Sequence, residues 1–307
     1  MKIKNRELRS VLLGFVFVSL LSCVLGCKES TERNAVYYWR TELRLDSAER
    51  AFLKRHHISR IYCRYFDVVM GSSEINGEDP VPNATITFTD TLPSDIEVVP
   101  TVFITEDCMH QPHKGLAEKL VKRIIQMNET HDIGPVREIQ IDCDYTARSR
   151  RLYYDFLKEV KKELESQSSK LQSSNLKSQV STTIRLHQLS MPAPPVDCGV
   201  LMLYNTGDPM KFYERNPILD IRDVAPYLPH LSSYKLTLAA AYPVFLWQRT
   251  LHGTNLEHQA DISEILRVKE AVEHERPQLS QEIITYHLDK ENIERYTPED
   301  YETIYRH

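Results

Sequence analysis

Hydrophobic positions in this chain alternate between two spacings. The segment Asn34 to Arg40 (NAVYYWR) concentrates aromatic and β-branched residues and predicts a strand. Asp46 follows, with Glu49 three positions on, which is the signature of a capped helix start; the helix is predicted to run to about His57. Further strands are predicted at Arg60 to Tyr65, Glu97 to Thr105, Glu138 to Asp144, Val180 to Leu186, Gly199 to Tyr204, Lys235 to Tyr242 and Glu282 to Leu288. Between them, Leu116, Leu120, Val121, Ile124 and Ile125 recur at helical spacing, as do Leu152, Phe156, Leu157, Val160 and Leu164, and a helix is predicted over Asp261 to Glu273. Two stretches break the rhythm: a long polar run from Gly71 to Asp95, and Ser166 to Gln179, which reads as a Ser-rich surface loop or a boundary. Strands separated mostly by helices match a (β/α)8 TIM-type barrel, irregular or incomplete at its last unit.

Composition narrows this. A chain of 307 residues with only 9 glycines, and no Gly-rich loop after its first strand, argues against a dinucleotide-binding sheet. With 38 basic and 43 acidic residues the net charge is −5, which disfavours nucleic acid as a partner. Of six cysteines, Cys23 and Cys27 fall near the start; the remaining Cys63, Cys108, Cys143 and Cys198 are too dispersed for a disulfide framework, although Cys63 and Cys108 sit at or after adjacent strands and a pair between them stays open.

The first residues carry Lys2, Lys4, Arg6 and Arg9, then the apolar run Val11 to Leu21, then small residues. That is the order of an export signal, and the run is shorter than the roughly 20 residues a membrane span needs. Val24-Leu25-Gly26-Cys27 resembles the lipobox of bacterial lipoproteins, and Leu20-Leu21-Ser22-Cys23 fits the same pattern. Cys27 is preferred because Lys28 to Glu32 then forms a polar tether. The expected organisation is a signal peptide over 1–26, a tether over 27–33 and one barrel domain over 34–307, with lipid on Cys27, the domain in the periplasm or at the cell surface of a bacterial envelope, and a monomeric state.

The fourth predicted strand, EIQIDCD, carries the chemistry. Side chains alternate along it, so Ile139, Ile141 and Cys143 share one face and Gln140, Asp142 and Asp144 the other. If the apolar face packs on helices, two acids turn toward the barrel axis near the C-terminal end, where barrel enzymes place their sites. Carboxylates two apart on a strand raise each other's pKa, which lets one donate a proton while the other is ionised. A purely structural role is the other reading: Asp144 capping a helix near Thr146 and Asp142 paired with a buried arginine.

Asp142-Cys143-Asp144-Tyr145-Thr146 resembles the Asp-x-Asp-x-Glu signature of family 18 glycoside hydrolases, and Met202-Leu203-Tyr204-Asn205 is similar to that family's Met-x-Tyr-Asp. The resemblance implies a (β/α)8 barrel acting on N-acetylglucosamine linkages through the substrate's acetamido group, with Asp144 orienting that group, Asp142 tuning Asp144, and Tyr204 bonding the acetamido oxygen. Here the family's acid glutamate is Thr146, its leading aspartate is Ile139, and the residue after the tyrosine is Asn205. Over roughly residues 35 to 245 the chain also resembles a group of bacterial TIM-barrel lipoproteins with a first strand ending in Trp-Arg, as Trp39-Arg40 do here. These resemblances imply a carbohydrate partner, N-acetylated, and no cofactor.

Other residues fall at the same mouth: Trp39 and Arg40 at the end of the first strand, Arg64 and Asp67 at the second, Glu106 and Asp107 at the third, Arg185 and His187 at the fifth, and Trp247 past the seventh. Aromatic platforms beside charged groups suit a sugar. Trp39, Arg40, Arg64, Tyr204, Asn205 and Trp247 are the candidate binding residues, with Arg64 also a candidate partner of Asp142 or Asp144; Asp142, Asp144 and, as a replacement acid, Glu106 are the candidate catalytic ones. Cys108, His110 and His113 form a short run with no comparable ligand group elsewhere, so no metal site is predicted. Two classes of function remain open, a membrane-tethered glycoside hydrolase and a barrel without catalysis that binds glycans or a protein.

Overall fold

The computed structural model describes residues 32–307, apart from 73–78, 171–177, 213 and 252–253. The lipobox cysteines Cys23 and Cys27, the signal peptide and most of the tether lie outside the described residues.

Eight parallel strands form the barrel: β1 (Arg33–Tyr38), β2 (Ile58–Met70), β3 (Glu97–Ile104), β4 (Glu138–Asp142), β5 (Gln179–Ile184), β6 (Cys198–Met202), β7 (Leu238–Pro243) and β8 (Glu282–Tyr286). Each pairs with the next in sequence, and β1 pairs with both β2 and β8, which closes the ring. All eight predicted strands are present. Pro100 sits within β3 without breaking a ladder, because pairing with β4 begins one residue later, at Thr101↔Gln140.

Helix α1 (Ser47–Arg55) starts at the predicted cap: Asp46 accepts from the Glu49 amide at 2.8 Å and Glu49 accepts from the Asp46 amide at 2.8 Å. Helix α2 (Leu116–Thr130) buries Leu120, Val121 and Ile124 as its spacing required. Helix α3 (Arg150–Lys170) begins four residues beyond Thr146, which leaves Asp144 outside its N-cap position. It also runs into the stretch expected to be a Ser-rich loop. Ser and Gln are tolerated at an exposed helix end, where Gln167 donates back to Glu163 at 2.6 Å.

The irregularities are spread over several units and include the last, whose helices are short. Among the described residues the β2 to β3 connection has no helix; β2 instead runs on to Met70, its far end paired antiparallel with Pro80–Asn83. Between β5 and β6 there is only a 3-10 turn, Leu186–Ser190, and between β6 and β7 two single-turn helices, α4 (Ile221–Val224) and α5 (Leu228–Leu231). An antiparallel hairpin (Leu246–Leu251 with Thr254–Gln259) rises after β7 before α6 (Ile262–Glu275). The last unit is closed by α7 (Lys290–Ile293) and α8 (Pro298–Ile304), and Tyr305 just beyond them donates to the β1 carbonyl of Ala35 at 3.2 Å.

Inside the barrel, contacts between strands that are not neighbours mark the side chains facing the axis. The Tyr37 hydroxyl of β1 donates to Gln140 Oε1 of β4 at 2.8 Å. At the N-terminal end Arg60 of β2 joins Glu97 (2.9 Å), Glu138 (3.1 Å) and Glu282 (3.3 Å) from three other strands, a charged plug where Val, Ile and Leu usually fill the axis. Burial raises the Glu138 pKa while the guanidinium opposes that shift. Cys63 and Cys108 are both buried free thiols.

Candidate functional site

The alternation of β4 puts its acids where the sequence placed them. With Gln140 bonded across the axis, Asp142 two residues on points the same way and is 3% exposed. Asp144, just past the strand end, reaches the open mouth. The partner of both is Arg185 at the end of β5: its Nε donates to Asp144 Oδ1 at 2.5 Å and its Nη2 lies 3.8 Å from Asp142 Oδ1. Thr183 of β5 also donates to Asp142 Oδ1, at 2.6 Å. Burial raises the Asp142 pKa above the usual carboxylate range, Arg185 pulls it down, and Asp144 adds to the rise. Arg64, expected to serve the acids, instead forks onto Asp67 three residues along its own strand, with Nε 2.8 Å from Oδ1. A bulge in β2 between Arg64 and Phe66 makes that turn-back possible.

Glu106 follows β3 and comes to the place where the resemblance puts a proton donor. Thr146 Oγ1 donates to it at 2.6 Å and Ser149 Oγ at 2.7 Å. Those two hydroxyls hold its pKa below the ordinary glutamate value. A carboxylate is therefore present beside residue 146, but it is held ionised, the reverse of what a general acid at neutral pH needs.

The opposite side of the mouth is aromatic. Tyr204 at the end of β6 stacks on Tyr286 of β8 with centroids 4.6 Å apart, and Tyr286 also meets Tyr37 (5.5 Å), Phe245 (5.6 Å) and Trp39 (5.9 Å). The Arg64 guanidinium lies 5.5 Å over the Trp39 ring, so Trp39 belongs to the mouth and not to the layer between barrel and helices. The Tyr204 hydroxyl is buried and has no hydrogen-bond partner among the described residues, while Asp142 and Arg185 are near enough to act on it electrostatically. Asn205 follows at φ 54°, a left-handed conformation asparagine tolerates. Arg40 is the candidate that leaves the site: it pairs with Glu49 at the start of α1 at 2.8 Å and reaches Asp289 at 3.6 Å.

Trp247 stands on the hairpin after β7. With Asn205, Phe245 and Tyr286 it lines a cavity of about 460 Å³ beside the aromatic floor. Tyr286 is not among the sequence-predicted site residues, because the predicted strand runs on to Leu288 whereas the observed one ends at Tyr286, and an aromatic at a strand's C-terminal end is the signal that marks Trp39. His187 is exposed on the turn after β5. Cys108 contacts the Val68 carbonyl and His113 faces Asp79 at 3.9 Å; among the described residues no three His, Cys, Asp or Glu side chains gather as a metal site.

No protein-family model matches the chain, and no curated protein matches it in sequence. Solved structures do match in shape. The spore cortex-lytic enzyme SleL of Bacillus cereus is 13% identical, covering 89% of this chain and 73% of that one with a TM-score of 0.52. A chitinase-like agglutinin from Robinia pseudoacacia is 11% identical over 89% and 99%, with a TM-score of 0.57. A family 18 chitinase from Cycas revoluta, solved in complex with (GlcNAc)3, is 8% identical over 89% and 100%, with a TM-score of 0.59. At these identities the likeness is one of fold: the chain is a (β/α)8 barrel of the kind found in family 18 glycoside hydrolases.

Proposed function

We propose that this barrel binds N-acetylated glycans at its mouth and does not hydrolyse them at neutral pH, as a lipoprotein tethered through Cys27 in a bacterial cell envelope. The observation that carries this reading is the Tyr204 hydroxyl, which has no hydrogen-bond partner among the described residues and is buried on the aromatic floor beside Asp142 and Arg185. A buried hydroxyl without a partner carries an energetic penalty of about 1–3 kcal/mol, which a ligand acceptor would relieve. An acetamido oxygen is such an acceptor, in keeping with the (GlcNAc)3 bound in the Cycas revoluta chitinase. Tyr286 and Trp39 supply rings for a sugar face, and Asp144 supplies an acceptor for amide or hydroxyl hydrogens.

Three features speak for binding over catalysis. Residue 146 is a threonine, which offers no acid proton near neutral pH. Glu106 beside it is held ionised. Asp144 is engaged by Arg185 and must release it before orienting an acetamido group. The agglutinin among the matched structures is a chitinase-like fold with an agglutinin's name. The hydrolase reading rests on the same Glu106, whose carboxylate reaches residue 146 and becomes a proton donor once protonated at acidic pH.

Calorimetric titration of the purified protein with N-acetylglucosamine oligomers, repeated with Tyr204→Phe and Asp144→Asn, tests the reading. Binding weakened by both substitutions, with no new reducing ends at pH 7, is the expected result. Release of product at pH 7 that Glu106→Gln abolishes would assign hydrolysis instead, and binding indifferent to Tyr204→Phe would overturn the site.

A further inference from the structure

A strand alternates its faces with period two, so two residues three apart, such as Arg64 and Asp67 of β2, point to opposite sides when the strand is regular. Here they share the inward face. Arg64 pairs with Thr101 of β3 and Asp67 with Phe103, which are two apart and so lie on one face of β3. Thr101 reaches Gln140 on the barrel axis at 3.4 Å, which identifies that face as the inner one. The residue that β2 gains between the pair is Tyr65, and it is pinned on the outer side: its hydroxyl donates to Asn128 Oδ1 of α2 at 2.8 Å, and its carbonyl accepts from the Ile86 amide at 2.8 Å. The bulge is thus built in, and the two-point fork of Arg64 onto Asp67 follows from it.

Trp39 needs such a support. Among the described residues its ring is met by the edge of Tyr37 at 6.1 Å and 75°, by Tyr286 at 5.9 Å and 51°, and by the Arg64 guanidinium at 5.5 Å, with no hydrogen bond to the indole N–H. Edge and tilted ring contacts let a half-buried indole rock, whereas a cation over the ring adds a directed attraction. A free arginine side chain samples many rotamers and does not stay over a ring; a carboxylate that takes both Nε and Nη2 fixes the plane of the guanidinium. A ring ordered in this way during folding leaves less to be ordered when a ligand docks.

Resting on the glycan reading above, we propose that Asp67 is a positioning residue of the mouth: it meets no ligand itself, and by holding Arg64 over Trp39 it keeps the ring at the angle on which a sugar face stacks. The test uses the full chain in three forms, unaltered, Asp67→Asn and Arg64→Lys; the lysine keeps the positive charge but cannot fork onto a carboxylate. Calorimetry with the N-acetylglucosamine trisaccharide reads affinity and thermal melts read folding. Acrylamide quenching without ligand reads the ring, in a Trp247→Phe background that leaves Trp39 the sole tryptophan. Both substitutions are expected to make Trp39 quench faster and to weaken trisaccharide binding roughly fivefold, the factor that one partly exposed cation–π contact carries. If Asp67→Asn fails to fold, Arg64→Lys carries the test alone. Quenching unchanged in the folded variants overturns the positioning role, and so does faster quenching with affinity intact; both leave the Tyr204 site standing. Tighter binding by Asp67→Asn overturns it too, because the freed Arg64 is then a ligand contact. Absence of binding in the unaltered chain overturns the glycan reading and removes the role with it, whatever the quenching shows.

Discussion

Replacing Arg185 with methionine probes the electrostatics of the mouth most directly. The guanidinium is the one cation within 4 Å of both β4 acids among the described residues, 2.5 Å from Asp144 and 3.8 Å from Asp142. Asp144 is exposed and regains water when the arginine is lost. Asp142 cannot, because it is 3% exposed and keeps only the Thr183 hydroxyl. Removing one partner of a buried pair destabilises by about 3–5 kcal/mol; with Nη2 beyond hydrogen-bond reach of Asp142, about 3 kcal/mol is expected near pH 8. For a domain of this size that corresponds to a fall in Tm of about 5 °C. The pH dependence has a fixed sign. Burial raises the folded pKa of Asp142, so the folded state holds its proton to higher pH than the unfolded chain, and stability falls as pH rises from about 3.9 to the folded value. Losing Arg185 pushes the folded value further up and widens that window, so Arg185→Met should lose less at pH 5 than at pH 8, because a larger share of Asp142 is protonated at the lower pH. Thermal melts of both proteins at pH 5 and pH 8 measure this, and adding Asp142→Asn should recover most of the loss at pH 8. An equal loss at both pH values, or no recovery in the double variant, would refute the argument that a buried Asp142 charge is what Arg185 offsets.

Other substitutions separate binding from folding. Tyr204→Phe removes a buried hydroxyl without a partner among the described residues, so stability should stay level or rise by about 1 kcal/mol while glycan affinity falls roughly tenfold; a fall in both would mean the hydroxyl is already satisfied. Glu106→Gln loses the carboxylate that accepts from Thr146 and Ser149. Because its folded pKa is lowered, Glu106 contributes stability above its unfolded pKa that is lost as pH falls, so the substitution should destabilise by about 1 kcal/mol at pH 7 and progressively less as the pH is taken below the unfolded pKa of about 4.3, as read by denaturant midpoints. Arg60→Gln leaves Glu97, Glu138 and Glu282 facing one another at the barrel base and should destabilise by about 3–5 kcal/mol at pH 7, with partial recovery at pH 5 as Glu138, already raised by burial, takes up a proton. Chemical denaturation at the two pH values checks it, and a loss that does not shrink at pH 5 would show the arginine acts by packing alone.

What the sequence by itself determined was local or periodic. The strand and helix spacing specified seven strands in the right order and offered Glu282 to Leu288 as an eighth, because each strand needs only its own run of apolar residues and its own turns. The alternation of EIQIDCD oriented Gln140 and Asp142 toward the axis, since period two is a property of any strand. The Asp46 cap was legible because both of its partners lie within four residues. What only the tertiary structure decided was every relation made by closing the ring. Arg185 and not Arg64 serves the acids, because β5 lies beside β4 and a bulge in β2 turns Arg64 back onto Asp67. Glu106 is held ionised by hydroxyls forty residues away, which no local pattern encodes. Arg40, adjacent to Trp39 in sequence, is drawn off to α1 while Trp39 stays at the mouth. Tyr286 slides under Tyr204 across 82 residues of chain only because β8 returns to β1, and the cavity beside it exists only because a hairpin rises between β7 and α6. Periodicity fixes which way a side chain points; which groups it meets depends on the distances that barrel closure sets, and those distances determine its charge state and its chemistry.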